Sequence, residues 1–167
     1  MKKKSEKRKT AFYGMFLALA LICSYVESLI PFYFGVPGVK LGLANLVVVI
    51  MLYCAGAKEA FLISVLRILL SGFLFGNPFS ILYSLSGGIV SFVVMLGVKK
   101  SGKFGVVSIS VLGGIFHNIG QLLIASVVVE NYNLFYYAPV LLLAGFVTGF
   151  LIGILAQEVI PRLTRHF

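Results

Sequence analysis

Gly97–Phe104 reads GVKKSGKF, one residue short of the phosphate-binding pattern G-x-x-x-x-G-K-[ST], because Phe104 stands where the hydroxyl belongs. The octapeptide can be read in two ways, and each leads to a different protein. As a phosphate loop it would follow a strand and open a helix of an α/β domain, presenting backbone N–H groups to phosphate. As a turn between apolar helices it would belong to a membrane bundle. The flanks decide between them. Pro78–Val98 precedes it and Phe104–Val129 follows it, and both runs are long enough to cross a hydrocarbon core of about 30 Å. No aspartate exists to hold Mg²⁺, since the five acids are Glu6, Glu27, Glu59, Glu130 and Glu158. GVKKSGKF is therefore read as a turn whose lysines fix topology, and no nucleotide cofactor is expected.

Outward from that turn the pattern repeats. The chain has 167 residues, 60% hydrophobic and 11% charged, against about 25% charged in soluble domains. It cannot clothe a water-facing surface, so most of it must be solvated by lipid. Six apolar segments are predicted to span: Ala11–Ile30, Lys40–Ala55, Lys58–Phe75, Pro78–Val98, Phe104–Val129 and Phe135–Ile160. Turn-forming clusters separate them, PFYFGVPG (Pro31–Gly38), AG, GNP, KKSGK and ENYN. The expected fold is all-α, a polytopic bundle of six transmembrane helices over residues 11–167, preceded by a basic cytoplasmic tail over residues 1–10. The first span begins like a secretory signal, but its apolar run continues about ten residues past the Ala18-Leu-Ala20 triplet, so no cleavage is expected. Cys23 and Cys54 lie inside apolar runs and read as small core residues.

Charge sets the orientation. Placing the N-terminus in the cytoplasm puts twelve of the fourteen basic residues inside: Lys2, Lys3, Lys4, Lys7, Arg8 and Lys9 in the tail, Lys58, Lys99, Lys100 and Lys103 in turns, and Arg162 and Arg165 at the C-terminus. The outer side keeps only Lys40, and Arg67 lies within a span. This is the positive-inside pattern, with both termini cytoplasmic in a multi-pass protein of the bacterial cell membrane. The net charge of +9 is thereby explained without nucleic acid, and the expected electrostatic partners are anionic membrane lipids.

Ionisable and amide side chains at membrane depth are expensive and mark candidate sites. Arg67 stands about ten residues into the third span, with Ser64 and Ser71 on its face. The fifth span carries GGIFHNIGQ, placing His117 and Gln121 one turn apart and Asn118 about 100° around the helix. Ser24 and Glu27 form a polar face on the first span, and Lys40 and Asn45 lie at the mouth of the second. Two arrangements are compatible with this set. One is an outward-open pocket for a polar or anionic group, bordered by Tyr25, Phe32, Tyr33 and Tyr83. The other is a Glu27–Arg67 ion pair with His117 hydrogen-bonded between helices. A metal site is not expected from one membrane histidine without aspartate or a C-x-x-C motif. Gly145, Gly149 and Gly153 form a small-residue stripe suited to packing within the bundle, and Gly14-x-x-x-Ala18 forms a second that could serve a partner.

The blocks GVPGVKLGLANLVVV, SGFLFGNPFSILYSLSGG and GGIFHNIGQLLIA resemble the Gx transporter family, also labelled heptaprenyl diphosphate synthase component I, over nearly the whole chain. That family is similar to the S components of energy-coupling-factor transporters. The resemblance implies a six-helix protein that captures a small anionic or isoprenoid- or quinone-precursor-type compound from outside. Such a protein docks on energy-coupling transmembrane and ATPase subunits, here through Gly14 and Ala18. Lys40 and Arg67 would attract the ligand, Asn45, His117, Asn118 and Gln121 would orient it, and Glu27 would complete the site. The older label implies instead a membrane subunit of prenyl diphosphate synthesis. Without aspartate the chain lacks the motif such synthases use for Mg²⁺ and diphosphate, so it is not expected to be catalytic alone.

Overall fold

The computed structural model describes residues 2–29 and 42–164, with side chains from Lys9 onward. Within them the chain is all-α. Its helices are α1 (Lys2–Leu29), α2 (Asn45–Cys54), α3 (Ala57–Phe75), α4 (Pro78–Lys100), α5 (Val106–Val128) and α6 (Ala138–Thr164), with a 3₁₀ segment at Tyr132–Tyr137 leading into α6. The GNP cluster works as a helix start. Asn77 accepts the Ser80 N–H at 2.8 Å, and Ser80 Oγ accepts the Asn77 N–H at 3.0 Å, a reciprocal cap with Pro78 in the first turn. GVKKSGKF is the end of α4 followed by a turn. Helix continues through Lys100, and Gly102 takes the left-handed conformation at φ +69°. Lys99 turns back into the bundle, donating to the Leu52 carbonyl at the C-terminal end of α2 and lying 4.4 Å from the Tyr53 ring centre. A cation there meets the negative end of the helix dipole.

Among the described residues four stretches are long and apolar enough to cross a membrane: Lys9–Leu29, Pro78–Lys100, Val106–Val128 and Tyr132–Thr164. Helix α3 has the length but carries Lys58, Glu59 and Arg67. Helix α2 differs from the expected span Lys40–Ala55. It starts at Asn45 and has 10 residues, about 15 Å, half of a hydrocarbon core. The physical reason lies at Gly42, whose φ of +81° turns the chain just before the helix, while Asn45 N–H donates to the Gly42 carbonyl at 2.8 Å. Val47 to Leu52 are all buried in sequence, as in a core helix that is apolar all round.

Helix α2 is the centre of the architecture. It touches α1, α3, α5 and α6, and with α3–α4, α4–α5 and α5–α6 contacts it closes a ring of five helices. Helix α1 is attached outside this ring, against α3 and α2, and among the described residues it makes no close contact with α4, α5 or α6. The polarity is inside out. Phe73, Val93, Val127 and Leu143 face outward, whereas twelve polar or charged residues among those described are buried, including Ser91, Ser110, Arg67 and His117. A chain whose solvent is hydrocarbon can expose its apolar side chains at no cost and must hide its polar ones.

The ring is tightest where glycines meet. A Cβ on Gly114 would collide with the Gly145 carbonyl oxygen, and one on Gly149 would lie 2.7 Å from the Ser110 oxygen. The stripe Gly145, Gly149 and Gly153 is therefore spent on α5, within the bundle. Gly120 and Gly87 bring α5 against α4 in the same way, with Ser86 Oγ donating to the Gly120 carbonyl at 2.8 Å.

Candidate ligand-binding site

The described polar residues expected to form one pocket occupy two neighbouring places. Asn45, His117 and Asn118 line a cavity inside the helix ring, together with Ser91, Ser110 and Thr148. Its volume is about 10 Å³, room for a single water. His117 and Asn118 are each 5% exposed. Asn118 is fixed by donating Nδ2–H to the Leu141 carbonyl across the α5–α6 contact at 2.7 Å.

Glu27 and Arg67 lie elsewhere, in the seam between α1 and α3, with Ser24 and Ser71 also buried, while the buried Ser64 turns its hydroxyl toward Gly88 on α4. Glu27 accepts the Gly42 N–H through Oε1, so α1 is tied to the turn that starts α2. Glu27 and Arg67 lie within each other's electrostatic field. Even so, the Nε and Nη2 atoms of Arg67 have no hydrogen-bond partner among the described residues. Arg67 thus makes no hydrogen bond to Glu27 through these two nitrogens, and the two side chains act on each other through space. Gln121 sits one turn beyond His117 at the α4–α5 crossing, where a Cβ on Gly87 would be 2.8 Å from its Cγ and 3.1 Å from His117 Cε1, and its Nε2 is buried without a hydrogen-bond partner among the described residues.

The remaining expected residues fall outside these places. Lys40, with Phe32 and Tyr33, lies outside the described residues. Tyr25 is exposed and packs on Phe75 with ring centres 5.0 Å apart. Gly14 and Ala18 are exposed on α1, and nothing lies within 4 Å of a Cβ built on Gly14. Sequence reasoning passed over Ser91, Ser110 and Thr148. A signal for two of them was present: Ser84 and Ser91 on α4, and Ser110 and His117 on α5, are spaced by seven, which puts each pair on one helix face.

An apolar groove of about 100 Å³ adjoins this region, lined by Leu122, Phe135, Ala138 and Leu142. Asn118 borders both it and the ring cavity. Among the described residues no group of three or more His, Cys, Asp or Glu side chains could hold a metal ion.

Helices with apolar exteriors around a buried polar interior define a polytopic membrane protein with an internal polar site. The model of the family described as heptaprenyl diphosphate synthase component I matches residues 16–159, and the chain belongs to that family. Comparison with the curated proteins and with solved structures returns no match.

Proposed function

We propose that this chain is the substrate-capturing membrane subunit of a transport system, of the S-component kind. It takes a small anionic or isoprenoid- or quinone-precursor-type compound from the outer side and relies on partner transmembrane and ATPase subunits for energy. The observation that carries this reading is the buried polar interior, with donors of Arg67 and Gln121 left unmatched among the described residues. Such groups are costly in hydrocarbon and are functional by default. Both termini face the cytoplasm in this proposal, which puts Glu27, the Gly42 turn and Asn45 at the outer end.

A cavity of about 10 Å³ admits no such ligand as it stands, so capture requires the helices to part. The α1 side is the one that can yield, because among the described residues α1 touches only α2 and α3, whereas α5 meets α4 and α6 backbone to backbone. Native mass spectrometry of the gently purified protein tests the reading. A retained small molecule or co-purifying partner chains are expected, and a bare monomer from cells grown in rich medium would count against it.

A second reading is favoured by the family's description and by the apolar groove beside Asn118. Here the chain is a non-catalytic membrane subunit of heptaprenyl diphosphate synthesis, holding a hydrocarbon product. The chain has no aspartate and so would need a catalytic partner. Adding it to that partner should change product chain length or rate; no change in either removes the reading.

A further inference from the structure

The two unmatched nitrogens of Arg67, Nε and Nη2, are neighbours on one edge of the planar guanidinium. That edge is a fork: two parallel N–H bonds spaced to hold two oxygens of one carboxylate or phosphate group. Arg67 is 5% exposed, so the fork is removed from bulk solvent, and leaving charged donors unmade there opposes folding. On the facing helix α1, Ser24 is 3% exposed and its Oγ also has no partner among the described residues. Its hydroxyl supplies one more donor. Glu27 does not fill the fork. Its Oε1 accepts the Gly42 N–H, and it balances the charge of Arg67 through space.

We infer that the Nε–Nη2 edge of Arg67, with the Ser24 hydroxyl, is an oxyanion subsite in the α1–α3 seam that grips two oxygens of a single carboxylate or phosphate group. The inference deepens the capture reading and rests on it for the supply of ligand to the seam. It also narrows the ligand. A neutral quinone carbonyl offers one oxygen and fills half the fork, so of the chemistries left open by the sequence, the carboxylate and the diphosphate fit and the uncharged quinone precursor does not.

The test uses the full-length protein labelled at arginine Nε and held in nanodiscs of phosphatidylcholine. The chain has four arginines, Arg8, Arg67, Arg162 and Arg165. A variant with Arg8, Arg162 and Arg165 each changed to lysine leaves Arg67 as the sole signal. Benzoate, inorganic pyrophosphate and 1,4-naphthoquinone are titrated separately. Benzoate or pyrophosphate should shift the Arg67 Nε–H resonance downfield with saturation, and naphthoquinone should not. Which anion acts distinguishes a carboxylate from a phosphate ligand. Arg67→Lys keeps the charge without the fork and should weaken anion binding about tenfold or more, and Ser24→Ala should weaken it by roughly threefold or more. An unmoved resonance with both anions, an equal response to naphthoquinone, or Arg67→Lys binding within about twofold of the parent would each overturn the subsite. If the resonance stays still while native mass spectrometry finds a retained ligand, the subsite fails and capture stands. If the anions bind but no ligand or partner co-purifies, capture fails and the subsite stands.

Discussion

Where α5 meets α4 and α6, backbone lies against backbone; where α1 meets α3, charged and hydroxyl side chains lie between the helices. In the first region Gly87, Gly114, Gly120, Gly145 and Gly149 let the backbones approach until an added Cβ would meet main-chain atoms of the neighbouring helix. In the second, Ser24, Glu27, Arg67 and Ser71 are all buried, and three of their donor atoms, Ser24 Oγ and Arg67 Nε and Nη2, are unmatched among the described residues. Without a hydrophobic force between helices in lipid, close packing is what holds a bundle together. The glycine region therefore has the packing expected of a rigid wall, and the seam has the composition of a place that opens or binds. The same size of chemical change should therefore have opposite consequences on the two sides.

The largest effect is expected at Gly114. Gly114→Leu places a branched side chain against the Gly145 carbonyl, which is backbone and cannot rotate away. Overpacking of a well-filled contact costs about 1–3 kcal/mol and sometimes more. Loss of monodisperse protein in detergent, or a large drop in the midpoint of thermal unfolding, is expected. Wild-type behaviour on size exclusion and heating would mean that the α5–α6 contact is not the rigid wall described here.

Arg67 comes next, and it separates stability from binding. Arg67→Ala should abolish ligand retention while leaving expression intact. Removing one partner of a buried charge pair leaves the other exposed to the same penalty, so some stability should be lost. The double variant Arg67→Met with Glu27→Gln should recover it, since replacing a buried pair with matched neutral groups is often neutral or stabilising by about 1–4 kcal/mol. Thermal unfolding of the single and double variants checks the order, and a double variant less stable than the single one would show that the pair is structural. At the edge between the two regions, Asn118→Leu removes the 2.7 Å bond to the Leu141 carbonyl. Interhelical bonds of this kind in membranes average about 0.6 kcal/mol with a maximum near 1.7, so a modest fall in unfolding midpoint is expected.

This division was only partly legible in the sequence. Apolar runs separated by GNP, KKSGK and ENYN disclose helices because turn chemistry and hydropathy are local properties, and the caps at Asn77 and Ser80 act where the sequence marks them. The stripe Gly145-x-x-x-Gly149-x-x-x-Gly153 likewise signals close approach on its own. Helix α2 was harder, since its apolar residues would suit either lipid or a core, and only the turn at Gly42 and the ring around it show that it is a core helix too short to cross. Glu27, Arg67, His117, Asn118 and Gln121 are buried, yet their grouping depends on which helices are neighbours. Arg67 and His117 lie on α3 and α5, which make no close contact with each other among the described residues. No spacing along the chain records that, so one expected pocket becomes a ring cavity and a separate seam.

The smallest change in stability is expected at Gly14, and it tests what lies beyond both regions. Nothing stands within 4 Å of a Cβ placed there, and Ala18 one turn on is exposed as well. Gly14→Leu therefore meets no steric obstacle within the described residues. It exchanges a poor helix former for a good one, a gain of up to about 1 kcal/mol in an exposed helix. The unfolding midpoint should stay level or rise slightly, the reverse of the same substitution at Gly114. If α1 docks on an energising subunit through Gly14 and Ala18, close approach of a second helix needs the absence of that side chain. Co-purification of partner chains should then be lost while ligand retention persists. Unchanged co-purification would leave Gly14 as a lipid-facing position, and any partner would have to be sought on another face.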